Sequence, residues 1–258
     1  MPDFAVNLSM LFTEVPLAER FSLAAEHGFR KVEIQFPYEL PAVQLASLLE
    51  QNKQQLVLLN APAGNWHKSD RGIACQPHRI EEFRQGISLA IEYANILKCN
   101  NINILSGIAP VDYEPIEIKQ TFIDNLRFCA ESFAKAGIQL LVEAINTQDI
   151  PGFYLNNSRQ AFDLFNEIDH PNIKLQYDIY HMQIMEGNLI QTLRENLDKI
   201  GHIQFADVPG RHEPQTGELN FSNIFQALDD MGYSGITSLE YNPSTSTTES
   251  LRWMKQIA

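Results

Sequence analysis

Four apolar runs in the second half of the chain each end on a side chain whose oxygen can bind a cation: LLVE reaches Glu143, IKLQYD reaches Asp178, HIQ reaches Gln204 and SLE reaches Glu240. Three carboxylates and an amide gathered in one buried space would repel one another, and desolvating even a single unpaired carboxylate costs on the order of several kcal/mol. A divalent cation removes both penalties. An all-oxygen donor set is hard, so Mg2+ or Mn2+ is expected over zinc, with coordination positions left for two substrate oxygens. The competing reading makes the same groups structural, engaged in salt bridges and hydrogen bonds at the rim of the fold.

For these side chains to meet, their strands must lie side by side and run the same way. Short β-rich runs fall at Phe4–Leu8, Val32–Gln35, Leu56–Asn60, Asn101–Leu105, Gln139–Glu143, Ile173–Asp178, His202–Phe205 and Ile236–Glu240. Between them, 3.6-residue periodicity predicts helices over Pro16–His27, Pro41–Asn52, Arg79–Leu97, Ile116–Lys135, Ser158–Glu167, Leu189–Lys199 and Asn223–Met231, with Thr248–Gln256 closing the chain. Strands alternating with helices imply an α/β fold with a parallel sheet, either a closed (β/α)8 TIM barrel or an open doubly wound sheet. The residues after the first strand, NLSMLFTEVP, contain no glycine and so lack the phosphate turn that would favour the open sheet. One barrel over residues 1–258 is therefore predicted. In such barrels the catalytic groups sit at the C-terminal ends of the strands. Asn7 and Asn60, ending the first and third strands, either line that pocket or brace its rim. The long Ala61–His78 loop after the third strand serves binding or closure, or is a solvated surface loop.

At 258 residues and 44% hydrophobic, the chain can bury a large core. Its formal charge of −13, from 32 acids and 19 bases, argues against binding nucleic acid. Cys75, Cys99 and Cys129 are odd in number and widely spaced, which suits a reducing cytoplasm better than a disulfide framework. The start of the chain lacks a basic n-region, and no 18-residue apolar run follows, so neither export nor membrane insertion is expected. A homo-oligomer is compatible with all of this.

Several segments resemble the xylose-isomerase-like barrels and, within them, the hydroxypyruvate isomerase family: NLSMLF, RGIACQP with EEFRQGI, VEAINTQDIPGF, QYDIYHMQIMEGNL, HEPQTGELNF and SLEYNPSTSTTESLRWM. The resemblance runs over almost the whole chain. It implies that Glu143 and Glu240 hold the metal and act as acid and base, with Asp178 and Gln204 completing the ligand set. The implied reaction exchanges hydroxypyruvate with tartronate semialdehyde through an enediolate, the cation polarising the carbonyl. Related ketose epimerases carry a histidine where Gln204 stands, so the sequence sides with the isomerases.

The same resemblance gives His181, three residues after Asp178, a contact to substrate oxygens. Arg211 is similar to a substrate-contacting arginine of the epimerases, with one extra residue of spacing. The substrate carboxylate needs donors, and Arg71, Lys68, His67 and His212 are the basic residues on catalytic-side loops; Arg71, in the RGIAC motif, is preferred. Trp66 beside it either covers the site or anchors its loop. The nearest alternative substrate is a 2-oxo-tetronate, and a ketose 3-epimerase is more distant. An endonuclease-IV-like phosphodiesterase would need a histidine-rich trinuclear zinc site and a basic face, and a sugar-binding module would not need paired glutamates around a cation.

Overall fold

The computed structural model describes residues 2–257. Eight parallel strands, β1 (Asp3–Asn7), β2 (Lys31–Ile34), β3 (Gln55–Asn60), β4 (Asn101–Ile104), β5 (Gln139–Glu143), β6 (Ile173–Asp178), β7 (Ile200–Phe205) and β8 (Ile236–Leu239), close into a barrel in sequence order. Closure is made by β8 against β1, with Phe4 opposite Thr237 and Val6 opposite Leu239. Outside the barrel lie α1 (Leu17–Glu26), α2 (Ala42–Gln51), α3 (Ile80–Leu97), α4 (Pro115–Ala136), α5 (Ser158–Ile168), α6 (Ile179–Met185), α7 (Leu189–Asn196) and α8 (Phe221–Asp230). Expected elements recur within one or two residues at most ends. The clear departure is α6, which periodicity did not predict because its seven residues, about two turns, follow β6 without a loop. Asp178 caps it, Oδ1 accepting the Tyr180 N–H at 2.8 Å, and the helix carries His181. The closing helix is broken into Thr247–Ser250, a 3-10 turn at Leu251–Trp253, and Met254–Ile257.

The strand pleat divides the side chains into two sets. Val6, Val32, Leu59, Ile102, Leu140, Leu175, Ile203 and Leu239 face the helices and join the main apolar core. The inner set is apolar only near the bottom, where Ala5, Val57, Leu58 and Leu141 form a small cluster. Two residues further along the strands the lumen becomes polar: Asn7, Glu33, Asn60, Asn103, Glu143, Gln176, Asp178, His202, Gln204, Ser238 and Glu240 are all buried. A two-residue period thus places a polar layer directly above an apolar one.

The Ala61–His78 loop is tied down rather than free. Arg79 forks onto both carboxylate oxygens of Asp70 at 2.8 and 2.9 Å, and Gly72 bridges to Ser106. Gly72 (φ 112) and Gly107 (φ 91) pass so closely that a Cβ on either would stand 2.4 and 2.2 Å from opposing backbone oxygens. Only glycine fits there.

Candidate active site

The C-terminal ends of β5, β6, β7 and β8 bring Glu143, Asp178, Gln204 and Glu240 into one neighbourhood. Arg211 links two of them, its Nη2 donating to Glu240 Oε2 at 2.5 Å and to Asp178 Oδ2 at 3.3 Å. His181 Nε2 stands 3.5 Å from Asp178 Oδ2 and 3.8 Å from Glu143 Oε1. Glu143, Asp178 and His181 present donor atoms that all lie within 4.8 Å of one another, a spacing that one metal ion could share.

The carboxylates differ in how they are held. Glu240 Oε1 accepts from Asn7 Nδ2, Gln35 Nε2 and Gln204 Nε2, each at 2.9 Å, while Oε2 takes Arg211. Glu143 has one neutral side-chain donor, Asn103 Nδ2 at 2.9 Å to its Oε2. Burial raises the pKa of Glu143 well above the usual carboxylate range, reinforced by the charges of Glu240 and Asp178. Burial likewise raises Asp178 against the opposing pull of Arg211, and pushes Glu240 up to about 8 despite the same arginine. Burial, with Arg211 nearby, depresses His181 well below its ordinary value, so the ring is neutral. For Arg211 itself, burial alone would lower the pKa, but the carboxylates of Glu240, Asp178 and Glu143 outweigh it and the guanidinium stays charged.

Beneath these groups, Glu33 crosses the lumen to β7. Its Oε1 accepts from Asn7 at 2.9 Å and Gln204 at 2.8 Å, and Oε2 meets His202 Nε2 at 2.9 Å, which also contacts Ser238. Gln204 therefore turns its Nε2 toward Glu33 and Glu240 and its Oε1 toward Gln176 Nε2, 2.6 Å away. Its carbonyl faces a cation at Glu240 only with the amide reversed. A reversed Gln204 needs an acceptor on Gln176, and Gln176 Oε1 is buried with no hydrogen-bond partner among the described residues. The donor chemistry and this spare acceptor both fit a divalent ion.

A cavity of about 230 Å3 opens above the carboxylates, with Glu143, Glu240, His181, Arg211 and Asn60 in its wall and Trp66 and Phe36 at its mouth. A larger recess of about 670 Å3 lies at the opposite, N-terminal end of the barrel around Gln139, Lys174, Arg194 and Tyr233, away from every carboxylate of the cluster.

A family model described as xylose isomerase-like TIM barrel matches residues 21–257. This chain belongs to that family. Within the xylose isomerase-like barrels it is 47% identical to the hydroxypyruvate isomerase of Escherichia coli K12, over 98% of each chain, and 45% identical to a 2-oxo-tetronate isomerase of Pectobacterium atrosepticum, over 98% of this chain and 97% of that one. A crystal structure of a protein described as AP endonuclease, family 2, from Brucella melitensis superposes with a TM-score of 0.96 at 41% identity over 99% of both chains. The relatives at 47% and 45% identity, both isomerases over nearly the whole chain, make this chain an isomerase.

Of the residues the sequence pointed to in this xylose isomerase-like barrel, Glu143, Glu240, His181, Arg211 and Asn60 line the cavity, while Asp178, Gln204 and Asn7 stand behind it as partners of those that do. Arg71 does not reach the cavity. Its guanidinium lies 4.2 Å from the centre of the Trp66 ring and donates to the Trp66 and Asp70 carbonyls, because the tight loop leaves these as its nearest acceptors. Trp66 is the residue that arrives, packed 5.2 Å from Phe36. Lys68 and His67 are exposed on the same loop, and His212 is engaged with the Asn242 carbonyl at 2.7 Å. Arg211 reaches inward from a left-handed backbone position (φ 57), in a loop pinned by Asp207, which accepts the N–H groups of Gly217 and Leu219. Sequence reasoning missed Glu33, Gln35 and Asn103. The available signal was the two-residue alternation of polar side chains in KVEIQF and NINI, which places these groups on the lumen side.

Proposed function

We propose that this barrel is a metal-dependent isomerase interconverting hydroxypyruvate and tartronate semialdehyde. The observation that carries the reading is one small cavity of about 230 Å3 that has Glu143 and Glu240 in its wall beside His181 and Arg211. That volume lies below the ordinary range for ligand pockets, which suits a three- or four-carbon acid. Glu143, Asp178 and Glu240, with the Gln204 carbonyl, would hold Mg2+ or Mn2+. When bound, the ion would supply Lewis-acid polarisation of the substrate carbonyl.

The chain's own groups divide the proton work. Glu240, surrounded by four donors including a guanidinium, is the better stabilised of the two as a carboxylate, and Glu143, with one neutral donor between two other acids, is the one that more readily takes up and hands on a proton. Glu240 takes the proton from C3 of hydroxypyruvate, giving the enediolate, and Glu143 delivers a proton to C2. The hydroxyl proton leaves O3 and one joins O2, so the composition is unchanged. Arg211 faces the substrate carboxylate, and Trp66 and Phe36 shield the reacting atoms from water.

The test is conversion in heavy water of hydroxypyruvate and of 2-oxo-tetronates by chelator-stripped enzyme reloaded with Mg2+ or Mn2+. The two-carboxylate scheme requires solvent deuterium at C2 of the product. Failure of both ions to restore isomerisation of either acid sinks the proposal. The 2-oxo-tetronate reading is the second, favoured by the relative at 45% identity, and a higher kcat/KM for the four-carbon acid would select it.

A further inference from the structure

Asn146 is fully buried in the loop after β5, three residues beyond Glu143, and the chemistry above makes no use of it. Its Oδ1 accepts two backbone N–H groups, from Gln148 at 3.0 Å and Asp149 at 2.8 Å. The amide cannot be reversed without setting its NH2 against both of those donors. Nδ2 is therefore the atom that meets His181 Nδ1 at 2.7 Å, and it also donates to Asp149 Oδ2 at 3.0 Å. A donor at that distance demands a lone pair on Nδ1, so the ring carries its hydrogen on Nε2. Nε2 is the ring atom turned toward Asp178 and Glu143.

We propose that Asn146 is a positioning residue that sets the tautomer of His181, so that this histidine enters the site as an N–H donor to a substrate oxygen and not as a ligand of the cation. The inference rests on the isomerase reading and deepens it. By spacing alone the imidazole could join Glu143 and Asp178 around a metal ion, but a coordinated nitrogen must offer its lone pair, and Nε2 offers a hydrogen. The interconversion moves negative charge between the oxygens on C2 and C3, and a fixed, uncharged N–H is suited to that oxygen charge without altering the charge balance of the acid cluster.

The tautomer can be read directly in the full-length protein by long-range 15N–1H correlation on 15N-histidine-labelled material, the His181 signals among the seven histidines being identified by their loss in His181→Gln. The expected spectrum has an unprotonated Nδ1 and a protonated Nε2. The double variant Asn146→Asp/Asp149→Asn keeps an acceptor for the two backbone N–H groups and keeps the 146–149 hydrogen bond with donor and acceptor exchanged. The polarity toward His181 reverses, so the hydrogen moves to Nδ1, and the single variant Asp149→Asn, which makes the same change at the cavity wall and at the Tyr180 hydroxyl while leaving Asn146 against His181, is the control for kcat. With the double variant kcat falls about 10–100-fold, the size of effect known for groups that orient metal-bound histidines and carried over here to a histidine that donates to substrate, while KM moves less. The Co2+-loaded variant then gains a nitrogen ligand in its visible spectrum.

A wild-type spectrum with the hydrogen on Nδ1 overturns the inference without any variant. So does a double variant that keeps the hydrogen on Nε2, or one that reverses it while kcat stays within twofold. Failure of the isomerase reading looks different: wild-type protein with the Nε2–H tautomer turns over neither acid.

Discussion

Replacing Glu240 by glutamine alters charge and one hydrogen-bonding atom while preserving shape. The carboxylate collects Asn7, Gln35 and Gln204 on Oε1 and Arg211 on Oε2. The amide satisfies the three neutral donors if its oxygen takes their place, and its NH2 then confronts Arg211 Nη2 at the 2.5 Å position. Losing that charged hydrogen bond costs about 1.5–3 kcal/mol. Removing a buried charge that raises Glu143 offsets part of it, so the protein should remain folded, with a midpoint lowered by only a few degrees. Turnover should behave otherwise, falling by about 10²–10⁴-fold, the usual contribution of a general acid or base. The assay is proton NMR in heavy water with Mg2+ or Mn2+, following loss of the C3 protons of hydroxypyruvate together with product formation. Glu240→Gln is expected to lose both signals, whereas Glu143→Gln retains exchange at C3 and loses product, because the base survives and the acid does not. If Glu240→Gln exchanges and turns over at rates near the wild type, the acid–base assignment is wrong.

Other outcomes follow from the same geometry. Glu143 and Glu240 bind protons more tightly when folded than when unfolded, Glu240 up to about 8, so their contribution to stability is complete below about pH 4.5 and is lost as pH rises through 8. Calorimetry of chelator-treated protein should show the midpoint falling over that window and saturating Mg2+ or Mn2+ flattening the fall; identical slopes with and without the ion would contradict a shared cation site. Arg71→Ala should match Trp66→Ala, with KM raised several-fold, since its guanidinium rests on that ring; Arg211→Ala should raise KM about 10–150-fold, the equivalent of about 1.5–3 kcal/mol. Steady-state kinetics in which Arg71→Ala carries the larger effect would make Arg71 the carboxylate holder. Burial pushes the Cys75 and Cys99 thiols up to about 12, so iodoacetamide at pH 8 should label neither before unfolding, as mass spectrometry would report.

The barrel was legible because its signals are local. Each strand is a short apolar run bounded by turn residues, and the order β, α, β, α leaves few topologies for a parallel sheet. Helix α6 escaped because the Asp178 side chain starts it directly at the strand's end, without a connecting loop. Glu143, Asp178, Gln204 and Glu240 were visible because an ionisable or amide side chain closing a buried strand has no cheap explanation except a partner. Glu33 and Asn103 were not, since a polar residue inside a four-residue strand looks like surface alternation until the sheet closes and turns that face inward.

The amino-acid sequence by itself determined the element order, the apolar and polar periods, and the residue types that reach the C-terminal mouth, because these depend on backbone geometry and on neighbours a few positions away. Tertiary structure alone decided who touches whom. It placed Arg71 on Trp66 and Arg211 among the carboxylates, although both are arginines on catalytic-side loops. It also separated Glu240, which gathers four donors from two strands and two loops, from Glu143, which has one side-chain donor, and it set Asn146 against His181. Burial and hydrogen-bond polarity arise from chain segments far apart, 233 residues in the Asn7–Glu240 contact, and no local pattern encodes them.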